Sequence, residues 1–323
     1  MIVRFLDPVK NFPGVRYNTN KVERNKGELM KVSNFGALQG FAELRPQDYI
    51  NYLQMLSAQN RKVKQPQLHV VLSGKGKLYD KFQLTQAAEL WMKEMGYGEQ
   101  PYFITLHRDT GNDHVHIVST RIDRQGEKID SAFEWVRGQK ALNKVLGYDH
   151  AFTYKFSTQA QFYLLLEQGG FLGRDLLDHS KLEKHIGRYQ KDQQRADELR
   201  DLFLSRKAES GFLELLATKF YVELVFHASA GKQPYGYTVL DHHTKQVFKG
   251  GEILPLKHLL DVPIFPVMPV PGDAHDSGIQ QDRIEVLDTG NYIGPVWIAD
   301  DIDDEGVLGR NRQRKRKART NTR

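Results

Sequence analysis

The sequence has no cysteine among its 323 residues. Disulfide bonds and thiolate metal ligands are therefore excluded, so any bound metal must be held by histidine, carboxylate or carbonyl groups. Long apolar runs are missing too: none approaches the roughly 18 residues of a membrane-spanning helix. The charged start MIVRFLDPVKNF is unlike a secretory signal. We therefore expect no membrane span and a location in the cytoplasm.

The composition that remains is typical of a folded protein. Hydrophobic residues make up 40% of the chain, charged residues 27% and aromatic residues 11%, which argues against a disordered chain. At roughly 150 residues per domain, the length predicts one domain of ordinary size and something smaller.

Charge is distributed unevenly along the chain. Residues 1–260 have a net charge of +8, residues 261–309 of −10 and residues 310–323 of +8. A basic body favours a polyanionic partner such as nucleic acid, although charge alone does not identify one.

The segment HRDTGNDHVHI, residues 107–117, contains three of the 12 histidines. The stretch PYFITLH predicts one strand, RDTGND a loop, and HVHIVSTRID a second strand that ends at the turn RQGE. Alternate residues of a strand face the same side, so His114 and His116 would share a face, with His107 opposite them across the hairpin. The sequence therefore predicts three imidazoles that converge.

Strands and helices around this hairpin indicate the fold class. LHVVLS, residues 68–73, predicts an apolar strand. LTQAAELWMKEMG predicts a helix with Thr85 as N-cap and Gly96 as its stop, and residues 131–147 predict another helix. This pattern predicts an α+β domain over residues 1–150, with a central, mainly antiparallel sheet flanked by helices.

The remaining chain predicts two further segments. Residues 151–260 begin with helix formers that indicate a helical arm over 158–219. The strand-like stretches YVELVFHAS, YGYTVLDHH and KQVFKGG and the short helix LPLKHLL then indicate a small second α/β module. Residues 261–323 contain five of the 12 prolines and little periodicity, which indicates a flexible acidic linker and a basic C-terminal tail.

The three histidines favour a metal site of catalytic type. Three neutral imidazoles leave a divalent cation with open positions, so that it can act as a Lewis acid on a substrate oxygen. We expect Asp109 and Asn112 to support the metal site. Asp109 would accept a hydrogen bond from the second ring N–H of a ligand histidine. Imidazole affinity favours zinc or copper, whereas phosphoryl chemistry commonly uses magnesium or manganese.

The same segment resembles the third motif of the plasmid relaxase, or mobilization, family, H-x-D-T-x-N-x-H-x-H. Its fixed positions are matched by His107, Asp109, Thr110, Asn112, His114 and His116. GVRYNTNKVERNKGELM is similar to the family's first motif, which carries the nucleophilic tyrosine, and LHVVLS with the helix after it resembles the elements between. GKGKLYDK stands where the family has a proline-containing stretch. YGYTVLDHHTKQVFKGG resembles a segment of Bacteroides-type members.

This resemblance implies the His-hydrophobe-His (HUH) endonuclease fold and an enzyme that nicks and rejoins one DNA strand at an origin of transfer during conjugative mobilization. Tyr17 would attack the phosphorus and form a 5′-phosphotyrosyl intermediate, while His107, His114 and His116 would hold Mg²⁺ or Mn²⁺. A phenol with a pKa of about 10 is a poor nucleophile at neutral pH. Asp109 is therefore also a candidate base.

The resemblance also implies partners in a bacterial cytoplasm: single-stranded DNA at the origin of transfer, accessory mobilization proteins and a type IV secretion coupling protein. Contacts to DNA are expected mainly at phosphates, from basic residues near the motifs. These candidates are Arg16, Lys21, Arg24, Lys75 and Lys77.

Four alternatives stay open. Another tyrosine, Tyr79, Tyr97 or Tyr102, could be the nucleophile. A rolling-circle replication or transposon HUH nuclease would share the chemistry and differ in the fate of the nicked strand. A zinc hydrolase would use bound water and form no protein–DNA adduct. A non-catalytic DNA-binding module would use the histidines structurally.

Overall fold

The computed structural model describes residues 1–41 and 43–261. The predicted acidic linker and basic tail lie outside the described residues, apart from Asp261. In the described part of the chain, no helix is both long and apolar enough to span a membrane.

The chain forms two compact units. Within the described part, unit 1 comprises residues 1–153 and 162–181, and unit 2 comprises residues 154–161 and 182–261. The division of the chain near residues 150 and 260 that the sequence suggests stays a prediction.

Unit 1 is built on a five-stranded sheet with the strand order β1-β3-β5-β4-β2. The strands are β1 (Ile2–Phe5), β2 (Gly27–Ser33), β3 (Gln67–Ser73), β4 (Tyr102–His107) and β5 (His114–Thr120). All neighbouring strands are antiparallel. Every residue of β3, β4 and β5 is buried, so both faces of the sheet are covered. The predicted α+β class with a central antiparallel sheet is confirmed.

Helices pack against this sheet. They are α1 (Pro13–Glu23), α2 (Pro46–Ser57), α3 (Lys81–Glu94), α4 (Glu134–Val145) and α5 (Tyr148–Ala151), with a short 3-10 helix at Gly36–Gly40. α1 and α2 cover the face that carries Val118 of β5, where Val15, Leu53 and Phe103 belong to the same apolar core. α3 contacts β4 and β5, and α4 contacts α3 and β1.

Thr85 is not the N-cap of α3, contrary to expectation. The helix begins earlier because the Asp80 side chain accepts a hydrogen bond from the Gln83 backbone N–H at 2.8 Å, while Gln83 Oε1 accepts from the Asp80 N–H at 3.1 Å. This capping box satisfies N–H groups that the first turn leaves open. Thr85 lies inside the helix and donates to the Lys81 carbonyl at 2.7 Å. Gly96 has a φ of +83° just beyond the helix end, as predicted for a stop.

Unit 2 contains a second antiparallel sheet, β6-β7-β8. Its strands are β6 (Val222–His227), β7 (Gly236–Asp241) and β8 (Gln246–Lys249). The remaining helices are α6 (Gln159–Gln168) and α7 (His179–Gly187), which contain residues of both units, and α8 (Gln193–Arg206), α9 (Phe212–Phe220), α10 (Gly250–Ile253) and α11 (Leu256–Leu260). Phe203 of α8, Leu216 of α9 and Val239 of β7 lie in one buried cluster. α8 and α9 of the predicted helical arm therefore share a core with the second module, whereas residues 162–181 of that arm belong to unit 1.

Candidate active site

Three histidines meet where β4 ends and β5 begins. His107 is the last residue of β4 and pairs with His114, the first residue of β5, and Thr105 pairs with His116 in the same register. Cross-strand partners point to the same face, so all three imidazoles lie on the face that α1 covers. One ring nitrogen from each histidine lies within 4.8 Å of the other two. The rings of His107 and His116 stack at 4.1 Å between centroids.

The nitrogen atoms of this triad fit a bound divalent cation. Both ring nitrogens of His107 and Nε2 of His116 are buried without a hydrogen-bond partner among the described residues. Leaving buried polar atoms unsatisfied is costly, and native proteins rarely do so without a functional reason. A cation on the three imidazoles would satisfy one nitrogen of each ring.

The electrostatics also suit metal binding. Burial, together with the nearby His114, lowers the pKa of His107 to about 3. Burial lowers the pKa of His114 as well, and that of His116 far more. All three rings are therefore neutral at pH 7, which is the protonation state that a metal ligand needs.

A backbone carbonyl orients His114. Nδ1 of His114 donates to the carbonyl oxygen of Asn112 at 2.9 Å, which leaves Nε2 for the centre of the triad. The Asn112 side chain is used elsewhere, since its Oδ1 accepts the Gly76 N–H at 2.6 Å. Asn112 thus supports the triad through its main chain and joins its loop to the segment after β3.

A fourth histidine, His69 of β3, contacts the triad although the sequence motif does not include it. Its Nε2 lies 2.9 Å from Nδ1 of His116, and its side chain is fully buried. Burial lowers the pKa of His69 to about 3, so this ring too is neutral. The sequence carried a signal for it, because LHVVLS places a histidine between apolar residues of a strand. Only the strand register, which pairs His69 with Val118 and Val71 with His116, shows that His69 lies beside the triad.

Asp109 and Lys21 form an ion pair at the edge of the triad. Burial alone would raise the pKa of Asp109, but the hydrogen bond and charge of Lys21 lower it. Since neither ring nitrogen of His107 has a hydrogen-bond partner in the described chain, the carboxylate contacts the lysine and not the imidazole. The Lys21 Nζ also lies 5.6 Å from the centroid of the Tyr17 ring.

Tyr17 lies next to the triad. Its ring centroid is 5.7 Å from the centroids of both His107 and His116, and 6.3 Å from that of His69. The side chain is half-buried, and α1 holds it over the sheet. Lys21 follows four residues later, which places it on the same face of the helix.

The other candidate tyrosines are deeply buried. Tyr79 donates to Asp175 and Tyr102 to Glu89, while Tyr97 is fully enclosed. Burial raises the pKa of Tyr97 to about 12 and also raises those of Tyr79 and Tyr102. These phenols are therefore harder to ionise than an ordinary tyrosine.

The basic residues predicted to contact DNA lie on two segments beside the triad. Arg16, Lys21 and Arg24 are on or directly after α1, and Arg16 donates to Gln47 at 2.5 Å. Lys75 and Lys77 follow β3, and the segment between them is hydrogen-bonded to the loop that precedes His114. Lys77, Arg16 and Arg24 are exposed, whereas Lys21 and Lys75 are half-buried.

One comparison with known proteins gives a match. Residues 17–147 match the family model described as "Relaxase: MobA/VirD2-like, nuclease domain". No curated protein and no solved structure matches the chain. The matched range contains the histidine triad, Asp109 and Tyr17.

Proposed function

We propose that this chain, whose residues 17–147 match the family model of a relaxase nuclease domain, nicks and rejoins a single DNA strand by transesterification on Tyr17. A match to that family model implies DNA nicking and single-stranded DNA binding in general. The observation that supports the finer proposal is the position of Tyr17, 5.7 Å between ring centroids from two histidines of the candidate metal site.

In the proposed reaction, Oη of Tyr17 attacks the scissile phosphorus, and the bond from phosphorus to the 3′-oxygen breaks. The phenol proton is lost to solvent and the released 3′-oxygen takes one up, so the products are a 5′-phosphotyrosyl protein and a free 3′-hydroxyl. His107, His114 and His116 would hold a divalent cation such as Mg²⁺ or Mn²⁺, which when bound neutralises negative charge on phosphate. Because the new linkage is also a phosphodiester, the 3′-hydroxyl can attack it and rejoin the strand.

Lys21 and Asp109 have separate parts in this proposal. The Lys21 ammonium lies over the Tyr17 ring, where its charge favours the phenolate and the incoming phosphate. Asp109 holds that ammonium in place. A carboxylate with a lowered pKa is a weak base, so positioning of Lys21 accounts for Asp109 better than proton abstraction does.

The biological setting is part of the proposal. We expect the substrate to be single-stranded DNA at an origin of transfer, with accessory mobilization proteins and a type IV secretion coupling protein as partners in a bacterial cytoplasm. A replication nuclease would make the same nick, so the origin of the DNA decides between these settings.

The test is incubation with labelled single-stranded DNA from the transfer origin of the element that encodes the chain, with Mg²⁺ or Mn²⁺, followed by a denaturing gel. We expect a DNA-linked protein band that is absent in Tyr17→Phe. Tyr97→Phe is the matched control, because it removes the hydroxyl of a fully buried tyrosine whose charged neighbours include Arg121 and Glu134 and no residue of the triad. Cleavage without an adduct would indicate a hydrolase that uses water. An adduct that persists in Tyr17→Phe would assign the nucleophile to another tyrosine.

A further inference from the structure

A basic cleft lies at the end of the unit 1 sheet opposite the histidine triad. It has a volume of about 640 Å³, and its lining includes Lys62, Lys64 and Lys128. All three lysines are exposed, and none has a carboxylate partner within the described residues. The acidic lining residue Glu134 is already paired with Arg121. The cleft therefore presents uncompensated positive charge.

The segments that carry these lysines are held together by hydrogen bonds. Asn60 donates from its side chain to the Gly126 carbonyl at 2.9 Å, and its Oδ1 accepts the Lys62 N–H at 3.2 Å. Lys128 forms an antiparallel β-bridge with Ile122, which lies just after β5. The backbone positions of Lys62 and Lys128 are thus set before any ligand binds, which lowers the entropy cost of binding.

Two large aromatic residues are the sequence neighbours of a residue that lines the cleft. Phe133 is 76% exposed and Trp135 is 69% exposed, and they flank the lining residue Glu134. Phe133 has a φ of +47°, a left-handed conformation that is strained for a bulky residue. Such strain persists where the surrounding structure enforces it and is common at binding sites.

The register of the sheet gives the distance between the cleft and the triad. β3 pairs Gln67 with Thr120 at the end near the cleft, and Ser73 with His114 at the triad. At about 3.3 Å per residue, this strand separates the two sites by about 20 Å. A DNA strand covers that distance in about six steps of 3.4 Å.

We propose that this cleft binds the single-stranded DNA that extends from the nick. Lys62, Lys64 and Lys128 contact its phosphates, and Trp135 stacks on an unpaired base. The positive charge of the cleft favours binding of a polyanion, and exposed aromatic rings beside basic residues can stack on unpaired bases. This inference rests on the proposed function, because that function brings single-stranded DNA to unit 1.

The first test compares two oligonucleotides by fluorescence anisotropy over a range of salt concentrations. The long probe extends about ten nucleotides beyond the nick on both sides and reaches the cleft, while the short probe extends about three. The variant Lys62→Ala/Lys64→Ala/Lys128→Ala should bind the long probe about tenfold more weakly or worse. Its plot of log K against log salt concentration should be shallower by about 2, since three phosphate contacts are lost at about 0.7 each. Binding and nicking of the short probe should not change.

The matched control is Lys219→Ala/Lys232→Ala/Lys257→Ala, which removes the same charge from exposed lysines of unit 2. It should leave the salt dependence close to that of the wild type. The proposal is overturned when the cleft variant, with an unchanged melting temperature, keeps the wild-type salt dependence on the long probe. It is also overturned when the control variant loses as much affinity as the cleft variant.

The second test addresses stacking. Trp135→Ala should weaken binding of the long probe about fivefold or more, and this loss should vanish when the extensions are annealed to complementary strands. Phe82→Ala is the control, because Phe82 is an equally exposed aromatic residue on α3. An equal loss on the duplex, or no loss at all, contradicts stacking. Failure of the wild type to nick the short probe would instead refute the proposed function, so the two failures are distinguishable.

Discussion

At the scale of single residues, the orientation of His116 depends on a neighbour outside the histidine motif. Nε2 of His116 is the nitrogen left without a partner, so a cation bound there requires the ring proton on Nδ1. That proton then points at Nε2 of His69, 2.9 Å away. A fixed tautomer of this kind raises the affinity of a metal site.

We therefore expect His69→Phe to weaken Mn²⁺ binding about tenfold to a hundredfold, as measured by isothermal titration calorimetry. His69→Gln should recover much of the affinity, because its amide oxygen can accept the same hydrogen bond. A folded His69→Phe protein with wild-type Mn²⁺ affinity would show that this contact does not position His116.

At the scale of elements, the approach of α1 to the sheet sets the position of Tyr17. Gly14 lies one turn before Tyr17, and a methyl group there would be 2.9 Å from Nδ1 of His69 and 3.0 Å from Oε1 of Gln67. The Gly14 N–H also donates to that Gln67 oxygen at 2.9 Å. The absence of a side chain at Gly14 is therefore what allows the helix to lie this close.

Gly14→Ala should push α1 away from the sheet and lower the free energy of unfolding by about 1–3 kcal/mol. Adduct formation should slow about tenfold to a hundredfold, because a shift of about 1 Å in the position of a nucleophile can lower the reaction rate by that factor. Chemical denaturation and single-turnover nicking measure the two effects. Gly40→Ala is the control, since a methyl group there meets no atom within 4 Å. Wild-type stability and nicking in Gly14→Ala would contradict the close-packing argument.

At the scale of the whole molecule, each unit contains a buried apolar cluster of its own, and a buried carboxylate stabilises unit 2. Asp241 accepts hydrogen bonds from Arg195 Nε at 2.8 Å, from the Thr244 hydroxyl at 2.7 Å and from the His243 N–H at 3.0 Å. Burial alone would raise the pKa of Asp241, but the hydrogen bonds from Arg195 and Thr244 and the charge of Arg195 lower it. The folded state thus favours the ionised carboxylate.

This preference for the ionised carboxylate determines how the free energy of unfolding changes with pH. A carboxyl group whose pKa is lowered by folding stabilises the protein above its ordinary pKa of about 4, and this stabilisation is lost as the pH falls through the lower folded value. Asp241→Asn should lower the free energy of unfolding by about 2 kcal/mol at pH 7, and the difference from the wild type should shrink below about pH 4.

Urea denaturation at pH 7 and pH 3 measures this difference. Asp197→Asn is the control, because its ion pair with Arg200 is exposed and should contribute less than about 1 kcal/mol. Mn²⁺ binding by the triad should not change in Asp241→Asn, since Asp241 belongs to unit 2. A difference that stays constant between the two pH values would contradict the proposed role of the ionised carboxylate.

Local sequence determined much of unit 1. The alternation HVHIVST and the polar loop before it determine the hairpin, because side chains of a strand alternate between faces. The absence of cysteine limits the metal ligands to nitrogen and oxygen. Thr85 does not mark the start of α3, because Asp80 and Gln83 form a capping box before the chain reaches Thr85.

Only the tertiary structure decided which distant residues meet. His69 reaches His116 because β3 lies beside β5 in the sheet order, and Lys21 reaches Asp109, 88 residues away, because α1 crosses the end of the hairpin. Lys62 and Lys128 are also distant in the sequence, and the tertiary structure brings both of them to one cleft. Periodicity and spacing report on residues within one element, whereas such contacts depend on strand order and helix packing, which no local pattern specifies.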